Sequence, residues 1–383
     1  MAREARAADV VNVAEMRRRA RRRLPRAVFD AIDGAAGDEV TLRANRAALE
    51  RLWLRPRSLA DVRERDLRTT VLGRSISFPV ILAPCAFARM ANGEAELAAA
   101  RAAASEGTIF ALSGGSSCTL EEVKREVPDQ SWYQMYSPAT WEETEALIGR
   151  VRAAGYEVLC VTVDTALLPV RERDYRNRLS IPLQVSPTLI RHGLSRPLWA
   201  ADFLFGRVGR QSSGVRTQMR DFAHAISRVR PVTLDQLARI KQAWGGPLVV
   251  KGILRGDRVA EMVDVGVDGI VVSNHGGRQL DGARPAIDCL PEVVEAAAGK
   301  AEVYVDGGFR RGSEVVKALA LGARAVLVGR PYMFGLAAYG EAGVRRVLEI
   351  LKLEFEVALG LSGCVSPADV GRDIVIADRI GGS

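Results

Sequence analysis

The chain has 383 residues, 48% of them hydrophobic and 26% charged, enough to bury one large core or two ordinary ones, and it reads as a soluble globular protein. Its 54 Lys+Arg against 46 Asp+Glu give +8, and much of the excess lies in Arg17, Arg18, Arg19, Arg21, Arg22, Arg23 and Arg26; such a run reads as a solvated helix face, and no aromatic interleaving, zinc-finger spacing or RNA-binding signature supports a nucleic-acid partner. Five widely spaced cysteines without a C-x-x-C pair exclude a disulfide framework or zinc site, and no stretch approaches the ~18 apolar residues of a spanning helix, so the expected compartment is the reducing cytoplasm.

From the N-terminus, residues 11–50 read as helical, with Pro25 opening a second helix, and this preface is expected to run to about residue 75 and close one end of the fold. From residue 80, apolar β-rich runs at 80–84, 108–113, 132–136, 158–164, 248–251, 269–274, 302–306 and 325–329 alternate with amphipathic segments at 93–106, 140–154, 233–244, 257–265 and 313–321. Eight β/α units predict an α/β TIM (β/α)8 barrel, because parallel strands buried on both faces read as unbroken apolar runs. A doubly wound open sheet is the alternative. Residues 171–231, after the fourth strand, form an insertion well beyond ordinary loop length, a lid or a membrane or subunit contact.

Chemistry in such a barrel sits where strands end. Those ends carry Ser113, Gln134 with Tyr136, Thr162 with Asp164, Lys251, Ser273 with His275, Asp306 and Arg330. One polar ending could be a cap; this many point to a lined pocket. The richest is Ser273-Asn274-His275-Gly276-Gly277-Arg278-Gln279-Leu280-Asp281, which places an imidazole, able to take a proton near neutral pH, three residues from a guanidinium fork suited to a carboxylate. Two glycines between them allow a tight turn. Asp306-Gly307-Gly308-Phe309-Arg310 and Val328-Gly329-Arg330 combine exposed backbone N–H groups with cations, as a phosphate site after the last two strands requires. The spacing is not that of a Rossmann fingerprint.

With Gln134-Met135-Tyr136, Thr162-Val163-Asp164 and Lys251-Gly252 in the same order, residues 12–370 resemble the FMN-dependent 2-hydroxy acid oxidases and dehydrogenases, the group of glycolate oxidase, lactate oxidase and mandelate dehydrogenase. The resemblance implies one FMN-binding domain spanning 1–383. His275 would be the base, oriented by Asp164; Arg278 and Arg171 would hold the substrate carboxylate, and Tyr136 would bond the substrate. Lys251 would sit by the flavin ring, with Ser113, Gln134, Thr162, Ser273 and backbone near Ala83 and Ala86. Asp306, Gly307, Gly308, Arg310, Gly329 and Arg330 would take the ribityl chain and phosphate. The implied reaction converts an S-2-hydroxy acid to its 2-oxo acid, with oxygen, quinone or another acceptor, in a homo-oligomer, commonly a tetramer.

Two departures bear on the substrate. Ala31 follows Phe29-Asp30 where the family usually places an aromatic, and Gly115 stands where glycolate-type enzymes often have a tryptophan. Both remove bulk, so the expected substrate is larger than glycolate or lactate, in a pocket that includes Leu168. Filling of that space by Leu167, Leu168, Met90 or the insertion is the opposing expectation. The stretch 197–205, with Arg191, Arg196, Arg207 and Arg210 at its borders, admits peripheral membrane contact or a subunit contact. Oxidation of an amine or peptide on the same scaffold, or flavin binding without turnover, are the alternative functions.

Overall fold

The computed structural model describes residues 2–129, 131–179, 187–206 and 231–377. Strand β1 (Leu52–Leu54) pairs antiparallel with β12 (Val375–Ala377), and β2 (Thr69–Val71) forms a hairpin with β3 (Arg74–Ile76). The eight remaining strands are parallel: β4 (Val80–Leu82), β5 (Phe110–Ser113), β6 (Ser131–Tyr136), β7 (Leu159–Thr162), β8 (Leu248–Ile253), β9 (Gly269–Val272), β10 (Glu302–Asp306) and β11 (Ala325–Val328). Each pairs with the next, and β11 closes on β4 with Val326 opposite Val80, giving a closed TIM barrel. All eight expected strands are present.

The twofold alternation of a strand explains both cores. Outward residues such as Leu82, Leu112, Val161, Val250, Val272 and Val305 pack under the surrounding helices. Inward residues such as Ile81, Ala111, Trp132, Cys160, Val271 and Leu327 fill the barrel, where Trp132 meets Tyr304 edge to face at 5.7 Å. At the C-terminal end of the strands the next inward position is polar in six cases: Ser113, Gln134, Thr162, Lys251, Ser273 and Asp306, all buried. The site is therefore the top layer of the barrel interior.

The opposite end is closed by the β2–β3 hairpin rather than by helices. Its turn uses positive φ at Leu72 and Gly73, and Val71 and Ile76 join the barrel's interior cluster. The amide of Leu72 also donates to the carboxylate of Glu302, at the start of β10 (3.1 Å). The preface is thus helical only as far as Arg51, in helices Val13–Arg23, Arg26–Asp33 and Val40–Arg51. All of the arginine-rich run but Arg26, which opens the second helix, lies in the first, which buries Val13, Met16 and Ala20 while Arg17, Arg19 and Arg23 pair with Asp33, Glu15 and Asp202.

In the insertion after β7, helices Glu172–Arg176, Pro187–Leu194 and Pro197–Phe205 are described; Arg207 and Arg210 lie outside the described residues. Trp199 anchors the third helix through Nε1 to the carbonyl of Met90 (2.7 Å), leaving Leu198, Leu204 and Phe205 exposed. Among the described residues no helix is long and apolar enough to cross a membrane. Two helices near the C-terminus, Arg330–Tyr339 and Glu341–Leu361, went unanticipated. They cross where a Cβ on Gly335 or Gly343 would fall within 2.4 Å of the other's backbone, so only glycine fits there.

Candidate active site

After β9 the chain turns through three successive residues of positive φ, His275 (57°), Gly276 (63°) and Gly277 (77°). A histidine in this region is strained by roughly 1 kcal/mol or more and needs its surroundings to hold it there. The hydroxyl of Ser273 accepts from the amide of His275 (3.0 Å), and Asn274 Oδ1 accepts from the amide of Gly277 (3.2 Å). Asn274 is itself locked to Asn45 by reciprocal amide bonds of 2.9 and 2.8 Å. At Gly276 the positive φ suits glycine, and a Cβ would lie 2.8 Å from Arg330 Nη1, which would have to shift.

The turn aims His275 Nδ1 at both carboxylate oxygens of Asp164, at 3.1 and 3.2 Å. Burial pushes the Asp164 carboxyl up, but the attraction and hydrogen bond of His275, with Lys251 beyond, hold it below the ordinary value. An ionised Asp164 accepts the Nδ1 proton and so leaves Nε2 as the basic nitrogen.

On the barrel floor, buried Lys251 donates to Ser273 Oγ (2.7 Å) and pairs with Asp306 Oδ2 (2.8 Å). Burial disfavours its charge, yet Asp306 and Asp164 outweigh that and raise its pKa, so it is a permanent cation. Gln134 Oε1 accepts from Ser113 Oγ (3.1 Å) and more distantly from the amide of Gly114 (3.4 Å). Its Nε2, like Asp306 Oδ1, is buried with no hydrogen-bond partner among the described residues. An unmet buried donor costs about 1–3 kcal/mol, so this floor is built to meet a polar ligand.

One cavity is lined jointly by Ala31, Ala83, Ala86, Tyr136, Arg171, Lys251, His275, Arg278, Asp306, Gly307, Gly308, Arg310, Gly329 and Arg330. Gly307 and Gly308 have φ of 96° and 92°, and a Cβ on Gly308 would lie 2.7 Å from the carbonyl of Asn45. Burial, with Arg46 beside it, pushes Arg310 down to about 10. Arg171 and Arg330 are each pushed down to about 9, by burial first and then by Arg278. Crowded, desolvated cations of this kind are relieved by an anion. Burial and the charge of Asp164 raise Tyr136, keeping its hydroxyl protonated.

Asp164 is seated by the barrel ends without lining the cavity, as are Ser113, Gln134, Thr162 and Ser273. Two residues expected in the substrate pocket are elsewhere. Leu168 is 60% exposed, because its segment runs along the surface, and Gly115 is buried beneath the wall with its carbonyl taken by the amide of Phe87 (3.0 Å). Phe87 and Met90 line the cavity there instead. Asn45, Arg46 and Asp174 were not anticipated in or around the site; the visible signal for Asn45 was a polar residue on the core side of an amphipathic helix.

The donors fit a flavin mononucleotide: unmet polar atoms on the floor for a flat polar ring, a fixed cation beside it, and a side-chain-free glycine cradle with two arginines for a phosphate. The profile of the FMN-dependent dehydrogenases matches residues 20–377. The chain is 44% identical over 367 residues to an L-lactate oxidase from Nostoc sp., covering 94% of this chain and 96% of that protein. It is 42% identical over 354 residues to 2-hydroxyacid oxidase 1 of Homo sapiens, covering 92% of each. Among solved structures, a monotopic membrane protein, (S)-mandelate dehydrogenase, superposes with a TM-score of 0.90 at 33% identity, over 97% of this chain and 100% of that one. Mandelate oxidase gives 0.82 at 38% identity, over 96% and 98%. The chain belongs to the FMN-dependent dehydrogenase family and is an FMN enzyme of the group that oxidises 2-hydroxy acids.

Proposed function

We propose that the enzyme oxidises an S-2-hydroxy acid larger than glycolate or lactate, aryl or extended, to the corresponding 2-oxo acid. The observation that carries this reading is Ala31: it lines the same cavity as the apolar Ile32, Met90 and Leu179 and as Arg278, Arg171 and Tyr136, and its carbonyl accepts from Arg278 Nη1 (2.8 Å). Its single methyl group leaves space that an aromatic residue would fill. The likeness to mandelate oxidase and mandelate dehydrogenase supports the same side-chain class.

In this reading Arg171 and Arg278 take the substrate carboxylate, a charge-assisted interaction that fixes the orientation of Cα. Tyr136, held protonated, donates to a substrate oxygen. His275 Nε2 removes one substrate proton, and Asp164 stabilises the imidazolium that forms. FMN supplies the two-electron acceptor. Its ring would be held by Lys251 and backbone at Ala83 and Ala86, with Ser113, Gln134, Thr162 and Ser273 at the strand ends behind them. Its ribityl chain and phosphate would be held by Asp306, Gly307, Gly308, Arg310, Gly329 and Arg330. An external acceptor then returns the enzyme to its starting state.

The test is anaerobic mixing of the FMN-loaded enzyme with glycolate, lactate, mandelate and 2-hydroxyoctanoate while oxidised-flavin absorbance is followed. Mandelate or the long-chain acid should exceed lactate in kcat/KM by about tenfold or more, the scale on which a hydrophobic pocket discriminates. A higher value for lactate or glycolate overturns the size assignment. No bleaching by any member overturns the hydroxy-acid reading itself.

A further inference from the structure

Two of the cavity arginines come from different loops yet are held by one stretch of backbone. Arg278 donates through Nη1 to the carbonyls of Ala31 (2.8 Å) and Gly34 (3.0 Å). Arg330 donates through Nε to Ile32 (3.1 Å) and through Nη2 to Gly34 (2.7 Å), with Nη1 on Gly276 (2.9 Å). Ala31, Ile32 and Gly34 form the C-terminal end of helix Arg26–Asp33, where carbonyls lack intrahelical donors and the dipole is negative. Four hydrogen bonds to one helix end therefore decide where two mutually repelling guanidiniums lie.

That helix end is in turn fastened from outside the cavity. Arg173 pairs through Nη2 with Glu39 (2.5 Å) and through Nη1 with Asp33 (3.3 Å), and lies 3.8 Å from Asp30. The three carboxylates bracket Gly34: Asp30 and Asp33 precede it, and Glu39 also accepts from the amide of Ala35 (3.0 Å). The contact is direct, since a Cβ on Gly34 would lie 3.1 Å from Arg173 Cδ. Arg173 follows Arg171 by two residues, and Arg171 Nε donates to the carbonyl of Arg278 (3.3 Å). The amide of Gly37 bonds the carbonyl of Val170 (3.0 Å), tying the same two segments again.

We infer that Arg173 is a positioning residue for anion binding: by clamping Asp33 and Glu39 it fixes the carbonyl turn that orients Arg278 and Arg330 against the segment carrying Arg171, so that three guanidiniums are set as a unit before ligand arrives. Arg173 does not line the cavity, so it acts only through the others. Presetting the cluster spares the ligand the cost of ordering it. The inference rests on the reading of Arg171 and Arg278 as the carboxylate site.

The test compares Arg173→Ala, Arg173→Lys and Arg278→Ala with the unaltered holoenzyme. The readouts are the Kd of oxalate, a carboxylate with no transferable hydrogen, from perturbation of flavin absorbance; the Kd of FMN for the apoprotein; the split of KM against kcat; and Tm. In Arg173→Ala, oxalate Kd and KM should rise about tenfold while kcat falls less than about threefold, the pattern of lost ground-state binding. Arg173→Lys should fall between, since an ammonium cannot fork between two carboxylates. FMN affinity should fall with Arg173→Ala, because Arg330 shares the turn. Oxalate Kd unchanged in Arg173→Ala overturns the inference, as does a loss of activity that merely follows a lower Tm in protein that still binds oxalate normally. Should Arg173→Ala fail to fold, an unchanged oxalate Kd in Arg173→Lys overturns it equally. Arg278→Ala separates the two levels: unchanged oxalate binding there refutes the carboxylate site, whereas weakened binding there with unchanged binding in Arg173→Ala refutes the positioning role alone.

Discussion

Asp164→Asn removes one charge from the His275 pair while preserving its shape, and the structure sets the size of the effect. The Nδ1 to carboxylate separations are 3.1 and 3.2 Å, and the side chains are only 19% and 13% exposed, so solvent screens the pair little. With an effective dielectric near 20, an imidazolium and a carboxylate at that distance attract by roughly 5 kcal/mol. This attraction arises only as His275 takes the proton, so it counts toward the transition state and not toward substrate binding. The amide oxygen of Asn can still accept from Nδ1 and retains about half of it, leaving a loss of about 2–3 kcal/mol, a fall of about a hundredfold in the rate constant for flavin reduction. The assay is anaerobic stopped-flow reduction over a range of substrate concentrations. The limiting rate should drop while the apparent substrate Kd stays within about twofold, because the arginines are untouched. A stability corollary carries a definite sign. The folded Asp164 carboxyl lies below its ordinary 3.8, so its charge stabilises the fold above that value and the contribution is lost as pH falls through the lowered one. The Tm gap between the two proteins should therefore be constant at neutral pH and close only in strong acid. A limiting rate within threefold of the unaltered enzyme, or a defect confined to substrate Kd, would refute the assignment of Asp164.

Ala31→Phe should refill the apolar wall, lowering kcat/KM for mandelate about tenfold to a hundredfold and sparing glycolate, in steady-state assays; equal losses for both would place the side chain elsewhere. Gln134→Leu discards a buried donor without a partner along with an acceptor of two bonds, so apoprotein Tm should move by no more than about 2 °C while FMN Kd rises about tenfold, read from quenching of FMN fluorescence. Lys251→Met leaves Asp306 and Asp164 without their buried cation and should cost about 3–5 kcal/mol at pH 7 by urea unfolding. The folded Lys251 lies above its ordinary 10.5, so its stabilisation is complete below that pH and fades as pH rises through the raised value; the difference between variant and parent should narrow only above pH 10.5.

The barrel was legible because its strands obey a simple rule. Strands covered on both faces are apolar throughout, and a polar residue at the final inward position, such as Lys251 or Asp306, breaks that rule visibly. The structure brings His275 and the glycine cradle to one cavity, with Asp164 against His275 behind it. Side chains on loops were less legible. Gly115 suggested missing bulk in the wall, but its carbonyl is engaged by the amide of Phe87, and it is Phe87, at a φ of 58°, that lines the cavity at that point. Nothing in residue type announces such a backbone turn at a non-glycine position. The β2–β3 hairpin escaped notice because two three-residue strands are too short to show a period.

What was least legible is the part the arginines depend on. A guanidinium stands out in a sequence, but its acceptors here are the carbonyls of Ala31, Ile32 and Gly34, and every residue has a carbonyl. What marks these three is position: they lie past the last intrahelical donor, on a turn closed by Gly34 and pinned from the far side by Asp33, Glu39 and Arg173. The N-terminal helices, which read from sequence as an end cap, thereby supply the acceptors that allow Arg278 and Arg330 to share a desolvated space with Arg171. Without those acceptors the burial and then the repulsion from Arg278 that already push Arg171 and Arg330 down to about 9 would drive the side chains apart toward solvent. In the proposed reading the barrel provides the floor and the base, and the preface sets the arginines of the anion site; an alteration in residues 26–39 should therefore register as lost anion affinity even though Asp164 follows β7, Lys251 lies on β8 and His275 in the loop after β9.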